Sequence, residues 1–152
     1  MGAGKGLSRV LVPVNGSALD DDIVSLACEM VNHKKGTVWV LYVIEVARTL
    51  PLDAEIPIET ARGEQVLQHL EALGKSKKCK LEGEILQARS AGPAIVQEAV
   101  DRDAELLITG TDYQEHYGSP TLGELVPYLL KRSPCRVLVY RGAQPAPVPA
   151  SA

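Results

Sequence analysis

The sequence predicts an α/β domain: one open, doubly wound sheet of five parallel strands with helices on both faces. Three observations predict it. Short aliphatic runs alternate with segments of helical periodicity along the 152 residues, the alternation that parallel βαβ units require. Hydrophobic residues make up 45% of the chain but aromatics only 4%, with no phenylalanine. The core must then be built from Val, Leu, Ile and Ala, which strands covered on both faces favour. The length also suits one domain that buries its own core.

Each element has its own signal. Arg9 to Val14 (RVLVPV) is a buried strand, broken by Asn15-Gly16-Ser17. Ser17 is placed to cap a first helix, with Asp20 three residues on. Ile23, Leu26, Ala27, Met30 and Val31 give that helix its apolar stripe, and Lys34-Lys35-Gly36 reads as its stop. Thr37 to Val43 is a second buried strand, followed by a loop from Ile44 to Ile58 and a helix from Glu59 to Lys75. Lys80 to Ala88 alternates apolar and polar residues, as an edge strand does. Gly92-Pro93 opens a third helix whose apolar face is Ile95, Val96, Ala99 and Val100. Ala104 to Thr109 is a fourth strand, Asp112 to Pro120 a polar loop, and Thr121 to Arg132 a fourth helix with Pro127 inside it. Arg136 to Tyr140 (RVLVY) is the fifth strand. The expected organisation is a flexible leader over 1–8, one domain over 9–141 and a Pro/Ala-rich tail over 142–152.

Composition excludes several functions. A net charge of −3, a pI near 5.6 and the lack of a basic stripe argue against a nucleic-acid partner. No apolar run reaches the roughly 20 residues of a membrane helix, and the start of the chain is no secretory signal. Cys28, Cys79 and Cys135 are widely spaced with no CxxC pair, which points to three reduced thiols in a cytoplasmic protein rather than zinc or a disulfide framework. His33, His69 and His116 lie in unrelated segments, so no metal is expected. Gly2 to Gly6 contains Gly-Lys but has Gly6 where a phosphate loop needs Ser or Thr. No nucleophile elbow is present, and the acids Asp20 to Asp22 read as a solvated helix start.

Four stretches, in order and spacing, carry a resemblance. They are VPVNGS from Val12 to Ser17, VLYV from Val40 to Val43, Gly92-Pro93-Ala94, and the region from Leu106 to Tyr140 with LLITGT, LGELVPYLLKR and SPCRVLVY. From Ser8 to Arg141 the chain resembles the universal stress protein family. The resemblance implies a strand order of 3-2-1-4-5 and a homodimer formed by pairing the last strand, Arg136 to Tyr140. It also implies a nucleotide site between the first and fourth strands. The family's nucleoside contacts fall on Asn15 and Val43, with Pro13, Val14 and Thr109 lining the same pocket. Its phosphate loop, G-x2-G-x9-G-[ST], falls on Gly110, Tyr113, Gly123 and Glu124, so two of its four positions are changed. A ring at Tyr113 obstructs backbone approach to phosphates, and Glu124 sets a carboxylate against them or serves as the helix's own anion. Gly118 offers a shifted replacement glycine. Asn15 either hydrogen-bonds a base or ribose or simply closes its turn.

The expectation is a non-catalytic, dimeric stress-response or regulatory protein acting through a protein partner. No cofactor is required; AMP, adenosine or ATP binds weakly at most. The alternative is an ATP-binding, slowly hydrolysing member of the same family.

Overall fold

The computed structural model describes residues 6–111, 114–116 and 119–143. Along the chain run β1 (Arg9–Val14), α1 (Leu19–Met30), β2 (Thr37–Glu45), α2 (Pro57–Ser76), β3 (Leu81–Ala88), α3 (Ala91–Asp101) and β4 (Leu106–Thr111). Then come β5 (Gln114–His116), β6 (Ser119–Thr121), α4 (Leu125–Arg132) and β7 (Arg136–Arg141). The main sheet has the order β3-β2-β1-β4-β7 and is parallel throughout. With β7 as the fifth long strand, this is the expected 3-2-1-4-5. β5 and β6 pair antiparallel in the stretch read as a polar loop and at Thr121, read as the first residue of the fourth helix. Strands of three residues are too short to leave a periodic signal.

Alternation along the strands divides the core between the two faces. Val10, Val12 and Val14 join Ile23 and Ala27 of α1 and Leu67 and Leu70 of α2. Leu11 and Leu107 face the other way, onto Ile95 of α3 and Leu129 of α4. Burying each such side chain contributes about 1.5–3 kcal/mol. Val100, expected on the apolar face of α3, is instead exposed.

Several boundaries moved for identifiable reasons. α1 stops at Met30 because Val31 turns extended and bridges to Leu7 in parallel. Asn32 Oδ1 then accepts the amides of Lys34 and Lys35 at 2.9 Å each, forming the turn read as a helix end. Leu7 and Ser8, assigned to the leader, are tied to this frame. Glu105 Oε1 accepts the amides of Ser8 at 2.6 Å and Arg9 at 2.9 Å. α2 begins two residues early, at Pro57, where the missing N–H costs nothing. α4 begins at Leu125, not Thr121, which puts Pro127 in its first turn, where proline is tolerated. Among the described residues no helix is long and apolar enough to cross a membrane.

Candidate ligand crevice

A crevice of about 280 Å³ opens at the carboxyl ends of the strands, where the chain turns outward from β1 and β4. It brings together Pro13 and Val14 at the end of β1, Asn15 just after it, Val43 of β2, and Thr109 and Gly110 of β4. Glu124 is not among its lining residues. It lines a neighbouring pocket of about 370 Å³ with Tyr128, and the two pockets share Glu45, Ala91 and Leu125. Gly123 lines neither; it sits just before α4 with φ +74. Tyr113 and Gly118 lie outside the described residues.

The turn after β1 is shaped by side chains binding backbone. Asn15 Oδ1 accepts the Ser17 amide at 3.0 Å, so Asn15 closes its turn while also lining the crevice. Gly16 follows at φ +86, a left-handed conformation natural to glycine. Ser17 does not cap α1. The N-cap is Ala18, which makes no side-chain bond. Asp20 supplies the missing acceptor, taking the Gly16 amide on Oδ2 at 2.8 Å.

Asp20 corrects the reading of a solvated acid: it is only 5% exposed and lines the crevice. A signal was present, since residues 20, 23, 24 and 27 share one helical stripe and the other three are Ile, Val and Ala. Burial pushes its carboxyl above the ordinary value of 3.8; the amides of Gly16 and Asn15 oppose this, and Asp21 adds to it. A carboxyl raised by folding contributes stability below the unfolded pKa and loses it as pH rises through the folded one. Asp20→Asn, which keeps an acceptor for Gly16, is therefore expected to raise Tm at pH 7 by a few degrees. The gain should vanish below about pH 4 in a calorimetric pH series.

Glu45 is the second acid missed in the sequence. Its Oε2 accepts the Ala91 amide at 2.9 Å and so occupies the amino end of α3 with protein charge. Glu124, by contrast, makes no side-chain capping bond at α4 and is exposed, so the expectation that it neutralises its own helix is not met. Gly110 needs no phosphate to explain it. A Cβ there would stand 2.6 Å from Ile23 Cδ1 and 3.5 Å from Leu19 Cδ1, so the glycine admits α1 against the sheet. Among the described residues, neither pocket is lined by Lys, Arg or His, while Asp20, Glu45 and Glu124 contribute carboxylates. No cluster of three or more His, Cys, Asp or Glu suited to a metal occurs among the described residues.

The chain resembles known proteins in sequence and in fold. The chain is 23% identical over 139 residues to the universal stress protein MJ0531 of Methanocaldococcus jannaschii, covering 88% of this chain and 81% of that one. A universal stress protein from Archaeoglobus fulgidus has the same fold, with TM-score 0.72 and 16% identity over 87% of this chain and 97% of its own. The universal stress protein from the same organism in complex with dAMP superposes at TM-score 0.69 with 14% identity, covering 87% of this chain and 96% of its own. The model of the Universal stress protein family matches residues 6–141, and with that span nearly the whole described fold is accounted for: the chain belongs to the universal stress protein family.

Proposed function

We propose that this protein is a non-catalytic, cytoplasmic stress-response regulator. Its domain, residues 9–141, takes a nucleoside or nucleoside monophosphate weakly in the crevice and acts through protein contact. One observation carries the reading: among the described residues, the crevice and its neighbour present three carboxylates and no cationic lining residue. A triphosphate brings about four negative charges, and each meets like charge at a cost of about 1–3 kcal/mol at 5 Å, depending on screening. A volume near 280 Å³ is at the small end of ligand pockets. The dAMP-bound Archaeoglobus relative supports an adenine-bearing ligand.

β7 is an edge of the sheet, with only β4 beside it. Its aliphatic run Val137-Leu138-Val139 favours pairing with a second copy. Sedimentation velocity giving the mass of one chain at micromolar concentration would remove the dimer from this reading.

Isothermal titration tests the ligand. Adenosine or AMP is expected to bind with Kd of about 10–1,000 μM, and ATP with magnesium more weakly than either. Low-micromolar ATP binding would reverse the reading in favour of the ATP-binding alternative. That alternative draws support from Gly123, whose φ of +74 precedes α4 as a phosphate-cradling glycine would.

A further inference from the structure

The pocket of about 370 Å³ beside the crevice, at the amino ends of α3 and α4, has a chemistry of its own. Glu45, the last residue of β2, is held there by the bond from the Ala91 amide to its Oε2 at 2.9 Å. Glu124, the N-cap of α4, is exposed and makes no capping bond. Tyr128 stands one turn along α4, its amide donating to the Glu124 carbonyl at 3.3 Å, so the two side chains share a face of the helix. The Tyr128 ring is half-buried against Gly92. A Cβ on Gly92 would fall 2.6 Å from Tyr128 Cδ1 and 3.0 Å from Cε1, so the glycine is what admits the ring. Ser90 and Leu125 also line the pocket.

We propose that this pocket binds an alkylammonium ion, a primary amine on a short carbon chain. The carboxylates of Glu45 and Glu124 accept its N–H groups, and its methylenes lie on Leu125 and the Tyr128 ring, whose face attracts the charge. The charge balance supports a cation. Among the described residues lining the pocket none is Lys, Arg or His. Arg89, next to Ser90 in the chain, donates through Nη1 to the carbonyls of Ala47 at 2.7 Å and Leu50 at 2.8 Å, which turns it to the loop after β2. The amino ends of α3 and α4 oppose a cation, with about half a positive charge each, and the two full carboxylates outweigh them by about one charge. Two carboxylates and a ring offer too few hard oxygens for calcium or magnesium, which take about six or more. An ammonium needs fewer donors and gains from the ring. Nothing in this site requires a nucleoside in the crevice.

The test is an amide NMR titration of the full chain with 1,4-diaminobutane at constant ionic strength. The amides of Ala91, Gly92 and Leu125 should shift along one saturating curve with Kd of about 0.1–1 mM, a range in keeping with so small a ligand. Butane-1,4-diol, of the same length without charge, should leave them in place. Glu124→Gln should weaken binding at least about fivefold. Tyr128→Leu should weaken it by about two- to thirtyfold, while Tyr128→Phe, which keeps the ring, stays within about twofold. Glu71→Gln removes an exposed acid of α2 outside the pocket and should change nothing beyond about twofold. Glu124 has no capping bond to lose, so its variant decides the matter even if Tyr128→Leu does not fold. No shift at these amides up to about 10 mM diamine, saturating shifts only on other surfaces, or equal losses in Glu71→Gln and Glu124→Gln would each overturn the site.

Discussion

Exchanging Glu124 for serine is expected to raise affinity for AMP by roughly five- to a hundredfold while leaving adenosine within about twofold. The range follows from about 1–3 kcal/mol for one unit of like charge near 5 Å, the lower end applying where water screens the pair. Glu124 is the clean choice among the three acids. Its carboxylate makes no capping bond, so its loss strands no donor. Glu45 holds the Ala91 amide and Asp20 the Gly16 amide, and removing either would confound charge with backbone order. Parallel titrations of wild type and variant with AMP and with adenosine decide the matter. An equal change in both ligands would mean that Glu124 acts through loop structure, not through charge.

Gly36→Ala is expected to cost about 2–3 kcal/mol, read as a lowered denaturant midpoint at unchanged slope. Its Cβ would fall 2.6 Å from the Asn32 carbonyl oxygen, 2.7 Å from the Leu7 carbonyl oxygen and 2.7 Å from Val31 Cβ. Two of these are backbone atoms already committed: the Asn32 carbonyl to the Gly36 amide, and the Leu7 carbonyl to the Asn32 amide. Neither can give way without opening the Leu7–Val31 bridge. Gly123→Ala is the control. Among the described residues no atom lies within 4 Å of its Cβ, so the strain of a positive φ sets the cost, about 1 kcal/mol. If the two substitutions cost the same, the crowding around Gly36 is not what holds that corner.

The same corner explains where sequence reading stopped. Lys34-Lys35-Gly36 has the composition of a helix terminus, yet α1 ends at Met30. What decides the end is a partner about 24 residues upstream, Leu7, and no local pattern reports such a contact. The five long strands were legible because aliphatic runs and βαβ connections are local; their order came from the family resemblance. The hydrophobic wall of the crevice was legible for the same reason, since Pro13, Val14 and Val43 sit at predicted strand ends. Its charge was not. Asp20 looked like one of three surface acids until the stripe it shares with Ile23 and Ala27 is counted, and Glu45 looked like the start of a loop. Acids are placed by what they bond, and both of these bond backbone amides that composition does not mark.

The division of the core has a thermodynamic corollary. β1 sends Val10 and Val12 to one cluster and Leu11 to the other, so a single strand walls both. Neither helical layer can peel away without wetting a surface that the other layer needs dry. The molecule should therefore melt as one cooperative unit, its calorimetric and van't Hoff enthalpies agreeing.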